Sequence, residues 1–225
     1  MDKKRIRPIV TIDVALFTIK QERLCLALIE RQRPPFEGRL ALIGGYIHPD
    51  EDCDVTHAAH RILADKAGLA NVFVEQLMTF SGPDRDPRGW AVSIVYYALV
   101  PHAVLMAAEQ SARMTLTPVD RLPGLPFDHD RIAAAALARL RGKSTYSSLP
   151  AFLLPHEFTL PELKAVYETV MGLALNDSAF RRKIGDLGLI EEVQEAKSAA
   201  TAERKRPAQL YRLKERALIA FDRTI

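Results

Sequence analysis

Cysteine is scarce in this 225-residue chain: Cys25 and Cys53 are its only two, and they form no paired spacing. That argues against a disulfide framework and for a reducing, cytoplasmic setting. Long apolar runs are missing too, since none approaches the roughly 20 residues that span a bilayer. No membrane partner is therefore expected. The basic start, with Lys3, Lys4, Arg5 and Arg7, is not followed by an unbroken apolar core, because Asp13, Lys20, Glu22 and Arg23 intrude. A signal peptide is therefore not expected either. Nor is there much excess of one charge: 31 Lys and Arg against 28 Asp and Glu leave +3, too little to mark a nucleic-acid binder, so the placement of charge has to be read instead. No repeat stands out beyond an alanine-rich segment. What remains is a chain with 48% hydrophobic and 26% charged residues, long enough to bury two separate cores.

In the first half, residues 9–19 and 24–30 read as two strands joined by the polar turn Lys20-Gln21-Glu22-Arg23. A basic, proline-containing loop follows at residues 31–36, then a short strand into Gly44-Gly45. Asp50, Glu51, Asp52 and Asp54 offer carboxylates to cap a helix and complement its positive end. Val55, Ala58, Ala59, Ile62 and Leu63 recur at helical spacing before a stop at Gly68. Residues 72–80 and 92–100 read as further strands around the loop Ser81 to Gly89, and residues 123–127 as a linker-like turn. Asp128 caps an alanine-rich helix over residues 131–141, ended by Gly142. A polar stretch, 143–150, marks a domain boundary.

The second half carries a different signature. Thr159-Leu160-Pro161-Glu162 is a capping box with proline in the first turn, followed by an apolar face of Leu163, Val166, Tyr167 and Val170 and a stop at Gly172. Asn176-Asp177-Ser178 starts a second helix whose Phe180, Ile184 and Leu187 face inward, ending at Gly188. Two short helices at this separation predict a helix-turn-helix. Ser178, Arg181, Arg182 and Lys183 then lie in the first turns of the recognition helix, the part presented to DNA. Residues 189–193 and 208–213 read as two wing strands, with Arg204, Lys205 and Arg206 at the wing tip. A solvated helix face would explain the first basic cluster alone; both clusters together favour phosphate neutralisation and steep salt dependence.

The stretch from Gly45 through Glu51 to Arg61-Ile62-Leu63-Ala64-Asp65-Lys66-Ala67-Gly68-Leu69 resembles the Nudix box, with nine residues instead of the family's seven between Glu51 and Arg61. The two extra residues are placed in the loop, because a regular helix cannot absorb them without a bulge. Ile43 also replaces a commonly seen proline. The resemblance implies a mixed-sheet α/β/α sandwich and, in active members, Mg²⁺ or Mn²⁺ held by helix glutamates against a nucleoside diphosphate. Here Ile62 and the pair Asp65-Lys66 stand at the glutamate positions. No catalytic residue, no metal ligand and no required cofactor are therefore expected, with Mg²⁺ relevant only to residual hydrolysis.

A degenerate Nudix box joined to a winged helix resembles the NrtR family of bacterial regulators of NAD metabolism genes. Supporting strings are Asp84-Arg85-Asp86-Pro87-Arg88-Gly89, residues 92–100, Phe158 to Leu163 and Phe180-Arg181-Arg182-Lys183. The expected organisation is an α/β (α+β) two-domain chain: a ligand-sensing domain over 1–142, a linker over 143–153 and a winged helix-turn-helix over 154–225. The resemblance implies a homodimeric repressor on a pseudo-palindromic double-stranded operator, released by ADP-ribose or a related nucleotide. Arg31, Arg33, Arg85 and Arg88 are the candidate diphosphate contacts, since guanidinium groups pair bidentately with phosphate oxygens; Gly44, Gly45 and Glu51 complete the expected ligand site. Surface salt bridging is the alternative role for the arginines. Two competing functions remain open: an active pyrophosphatase using Glu51, Asp52 and Asp65, and a sugar-pathway regulator of the same architecture. His57 and His60 read as surface histidines, Cys53 as a packed helix-start residue, and Trp90 as either a base-stacking or a core residue.

Overall fold

The computed structural model describes residues 7–112, 114–193 and 208–225. The chain divides into two compact units, Met1–Arg139 and Leu140–Ile225.

The first unit is built on β1 (Ile9–Lys20), whose residues 12–18 are all buried. A strand covered on both faces must be apolar throughout, and Ile-Asp-Val-Ala-Leu-Phe-Thr meets that condition everywhere except at Asp13 and Thr18. Gln21 and Glu22, both at positive φ, turn the chain into β2 (Arg23–Glu30), the backbone geometry that matches a hairpin's twist. The other strands are β3 (Leu40–Ala41), β4 (Ile43–Tyr46), β5 (Phe73–Gly82), β6 (Ala91–Leu99) and β7 (Met114–Pro118). The sheet runs β3-β2-β1-β6-β5, with β4 also on β1 and β7 also on β2. Only the β1–β6 pairing among these is parallel.

One feature of the register positions the site. Along one edge, β1 pairs with β2 from Phe17 to Lys20 but with β4 from Thr11 to Val14. The end of β2 and the start of β4 therefore part company in the middle of β1, and the sheet opens between them. Helix α1 (Val55–Ala67) covers one face of the sheet, burying Ala58, Ala59, Ile62, Leu63 and Ala67 with Ile12, Val14, Leu16, Ile43, Tyr96 and Ala98. It begins where Asp54 accepts from the His57 N–H at 2.7 Å and ends at Gly68, φ +64°. The extra residues of the box lie in the loop before it, where Glu51 and Asp52 N–H groups donate to the His48 carbonyl. Helix α2 (His102–Ala112) and strand β7 were not expected from sequence. Helix α3 (His129–Ser144) passes from the first unit into the second.

In the second unit, α4 (Leu160–Met171) and α5 (Asp177–Leu187) form the helix pair. The capping box is complete: the Thr159 N–H donates to Glu162 at 2.7 Å and the Glu162 N–H to Thr159 Oγ1 at 3.3 Å. Glu168 accepts from the Leu175 N–H at 2.7 Å, and Lys164 bridges Glu168 and Asp177, which fixes the turn. Tyr167 packs edge-on to Phe180 and donates to the Ser147 carbonyl; burial pushes its phenol pKa upward. Strands β8 (Ile190–Glu192) and β9 (Tyr211–Leu213) pair antiparallel.

Two boundaries differ from the sequence reading. Gly142 does not end its helix, which runs on to Ser144. The expected linker at 143–153 is instead packed structure, because a 3₁₀ turn at Leu149–Leu153 buries all five of its residues. An apolar pentapeptide is more stable under cover than in solvent.

Gly44 faces Asp13 across the β1–β4 ladder, and a Cβ there would lie 2.1 Å from Asp13 Oδ1 and 2.9 Å from the Ile12 carbonyl oxygen. Gly44→Ala is expected to cost about 2–3 kcal/mol through overpacking, read as a lower urea midpoint; an unchanged midpoint would refute the contact.

Candidate functional site

Where the sheet opens, a cavity of about 920 Å³ forms. One lip carries Ile29, Glu30, Arg31 and Arg33; the other carries Gly44, Gly45 and Tyr46, with α1 behind it. Its size is in the range that encloses a small-molecule ligand.

The floor is a buried polar cluster. Asp13 accepts from Ser93 Oγ at 2.6 Å and from Arg85 Nη2 at 3.3 Å. The Leu42 N–H donates to His129 Nδ1 at 3.1 Å, which turns Nε2 towards Asp13 Oδ1 at 3.5 Å. Burial opposes the charge on Asp13, but His129, Ser93 and Arg85 outweigh it and hold the pKa down at about 2. Arg85 also grips Asp128 through two bonds, at 2.9 and 3.2 Å. Asp128 directly precedes α3 and His129 opens it, so strand β1, the loop after β5 and the start of α3 meet at this one cluster.

The walls are cationic and aromatic. Arg31 donates to the carbonyls of Pro35 and Arg33 and lies 4.7 Å from the centroid of the Phe127 ring, which in turn packs edge-on against Phe36. Desolvation, with Arg88 nearby, lowers its pKa. Arg88 is held by both oxygens of Asp86, bonds the Tyr46 hydroxyl and sits 5.7 Å from that ring's centroid. The Asp86 hydrogen bond raises the Arg88 pKa.

The α1 side settles whether a divalent cation fits. Glu51, Asp52 and Asp65 do converge, but on the Arg61 guanidinium, at 3.8, 2.7 and 3.6 Å. The Arg61 hydrogen bonds hold the Asp52 pKa well below its usual value. Ile62 supplies no oxygen, and the Lys66 ammonium donates to the Gly44 carbonyl. Among the described residues no cluster of three or more His, Cys, Asp or Glu is placed to hold a metal. The donor set does not fit Mg²⁺ or Mn²⁺, which need several free anionic oxygens.

Of the expected ligand residues, Arg31, Arg33, Gly44, Gly45, Arg85 and Arg88 line the cavity. Two depart from expectation. Glu51 is not among the lining residues; it turns to His48 and Arg61. Arg85 reaches the cavity, but with its guanidinium committed to Asp13 and Asp128 it organises the floor instead of offering a free fork to phosphate. Sequence reasoning missed Asp13, Ser93, Phe127, His129 and the placement of Lys66. A carboxylate inside the apolar run of β1 was the available signal for Asp13. Trp90 is 45% exposed and neither fills the core nor lines the cavity. Cys53 is exposed rather than packed, Cys25 is buried in β2, and both are free thiols. His57 is exposed and accepts from the Cys53 N–H, while His60 is half-buried.

In the second unit, Ser178, Arg181 and Arg182 are exposed on the first turns of α5 and Lys183 is half-buried, while Phe180 and Ile184 anchor the helix below. Among the described residues none of the three basic side chains makes an ion pair within 4.0 Å. Arg204, Lys205 and Arg206 lie outside the described residues, as do Lys3, Lys4 and Arg5.

Residues 150–213 match the family described as the NrtR DNA-binding winged helix domain. The chain is 38% identical over 209 residues to the ADPR responsive transcriptional repressor NtrR of Acinetobacter baylyi, covering 91% of this chain and 82% of that one. It is 34% identical over 131 residues to an ADP-ribose pyrophosphatase of Methanocaldococcus jannaschii, 58% of this chain and 76% of the other. Shewanella oneidensis NrtR complexed with a 27mer DNA superposes with a TM-score of 0.85 at 32% identity, over 96% of this chain and 99% of that one. The Nudix domain of the same protein complexed with ADP ribose gives a TM-score of 0.53 at 31% identity, over 62% and 93% of the two chains.

Asp13 has its pKa lowered from 3.8 to about 2, so its ionised form stabilises the fold above pH 4, and that contribution drains away as pH falls from about 4 towards 2. The pH-dependent part of the stability gap between wild type and Asp13→Asn is expected to be on the order of 2 kcal/mol at neutral pH and roughly half that by pH 3. Urea unfolding across that range measures it; a gap independent of pH would show that Asp13 is not held ionised.

Proposed function

This chain belongs to the NrtR family of Nudix-related transcriptional regulators, and on that premise we propose that it represses NAD metabolism genes, binding ADP-ribose or a closely related nucleotide in the first unit and duplex DNA through the second. The observation that carries the reading is the pairing, in one chain, of a 920 Å³ cavity walled by Arg31, Arg33 and Arg88 with a basic face on α5 whose exposed Arg181 and Arg182 make no ion pair among the described residues.

Each part of the ligand has chemistry to meet it. A diphosphate is multiply anionic, and the walls offer guanidinium groups prearranged by Asp86 and by backbone carbonyls. A base and two riboses present flat and hydroxylated surfaces, for which the Phe127 and Tyr46 rings and the polar floor are suited. On the DNA side, Arg182 and its neighbours neutralise phosphates while α5 enters the major groove. Two such helices in a homodimer fit a pseudo-palindrome with half-sites one or more helical turns apart.

Release by the ligand needs one further condition. The ligand must bind the DNA-incompetent arrangement more tightly, because equal affinity for both arrangements shifts nothing. The pyrophosphatase reading is favoured by the resemblance to the Methanocaldococcus enzyme. It is opposed by the site, where Arg61 sits among the three carboxylates that would have to hold the metal. Binding without turnover is the better fit.

Fluorescence anisotropy of the full chain on DNA from upstream of its own gene and its neighbours tests this. Tight binding that ADP-ribose releases is the expected result. Arg182→Ala should weaken binding about tenfold at moderate salt and lower the salt slope by about 1. Binding no tighter than to unrelated DNA, together with Mg²⁺-dependent cleavage of ADP-ribose, would replace the repressor with the enzyme.

A further inference from the structure

The cavity holds a cation of its own. Lys66 lies one turn beyond Ile62 on α1 and reaches over the glycines to donate to the Gly44 carbonyl. The ammonium lies beside bare backbone: a Cβ on Gly45 would crowd the Ile62 side chain at 3.2 Å and touch Lys66 Nζ at an ordinary 3.7 Å. Lys66 lines the same cavity as Arg31, Arg33 and Arg88. Among the described residues no carboxylate comes within 4.0 Å of its ammonium. The acids nearby are already taken, Asp65 by Arg61 and Asp13 by Arg85, Ser93 and His129.

A ligand with two adjacent phosphates brings negative charge that must be neutralised on more than one side. Arg31 and Arg33 on one lip and Arg88 beside Tyr46 supply guanidinium groups, and among the cavity's α1 residues Lys66 is the cation that no carboxylate holds, since Arg61 is surrounded by carboxylates. An ammonium acts on phosphate as a point charge with three donors, needing neither fixed coordination geometry nor acidic ligands. We propose that Lys66 takes the place of a divalent cation in this cavity, so that a diphosphate ligand binds without metal and depends on this lysine for its charge balance. This rests on the reading of the first unit as an ADP-ribose site and adds how that site handles the ligand's charge. The electrostatics agree: desolvation lowers the Lys66 pKa, the nearby Arg31 and Arg61 charges add to that, and Asp13 and Asp65 only partly counter it. Such an ammonium is short of an anion.

Isothermal titration calorimetry on the full chain tests this, with ADP-ribose and with inorganic pyrophosphate as probes, each in EDTA and in Mg²⁺. Wild type is expected to bind both probes with affinities that agree within about twofold between the two conditions. Lys66→Gln should weaken both by about tenfold or more in either condition, with circular dichroism confirming an unchanged fold, and Lys66→Arg should retain most of the affinity in EDTA. Wild-type affinity that appears only with Mg²⁺, or a Lys66→Gln variant that binds as tightly as wild type, would overturn the proposal. Metal-independent, Lys66-dependent binding of pyrophosphate without binding of ADP-ribose would uphold it and remove the ADP-ribose reading instead; binding of neither probe would remove both.

Discussion

The structure of the first unit depends on a carboxylate buried in the middle of its central strand. Asp13 can remain charged there only because Ser93, Arg85 and His129 surround it, since an isolated charge at that depth would cost several kcal/mol. Meeting that requirement fixes much else. Strand β4 must pass beside the carboxylate without a side chain, which is why Gly44 pairs with Asp13. The loop after β5 must deliver Arg85, and Asp128 and His129 must open α3 at that spot. Three segments distant in sequence are tied together by one charge.

The same logic of claimed charges makes the cavity basic. Three of its lining acids are engaged, Asp13 by the floor cluster, Asp86 by Arg88 and Asp65 by Arg61, which also holds the neighbouring Asp52; Glu30 lies out on the lip. Arg31, Arg33 and Lys66 have no such carboxylate partners among the described residues. A metal-dependent hydrolase needs the opposite arrangement, with free carboxylates and few competing cations on the helix. Ile62 and Lys66 alone change the count of ligands. Arg61 at the centre of the remaining acids changes their availability, which no count of residues would reveal.

Much of this was legible in the sequence where a local rule governs. The helix-turn-helix could be read from Thr159 and Glu162 reciprocating as a cap, from Asn176 at the next start and from glycines at 172 and 188, because caps and stops are decided within a few residues. The strand pair around Gln21 and Glu22 and the loop placement of the two extra box residues were local in the same sense. The end of α3 was misjudged because Gly142 is tolerated inside a helix that continues into packed structure. The segment after it looked polar and linker-like, yet Leu149–Leu153 is buried. Most of the cavity floor was out of reach. His129 and Asp128 read only as a helix start, Phe127 as a turn, and Arg85 as a free phosphate contact, because their roles are set by partners 43 or more residues away in sequence.

That long-range floor also bears on how occupancy of the cavity could be felt by the rest of the chain. Helix α3 begins at the cluster, with His129 bonded to the Leu42 backbone and facing Asp13, and its final residues belong to the second unit. A ligand that changes the balance of charge above Asp13 and Arg85 acts on the groups that hold the helix start. Moving a population from 1:99 to 99:1 takes a differential affinity of about 5.5 kcal/mol. Two to four charge-assisted contacts made in one arrangement and not the other supply that, at about 1.5–3 kcal/mol each. Arg31, Arg88 and Lys66 sit on three separate elements: the loop after β2, the loop after β5, and α1. On the proposed reading, a diphosphate that engages all three draws those elements to one spacing, and the arrangement that permits this spacing is the one it selects.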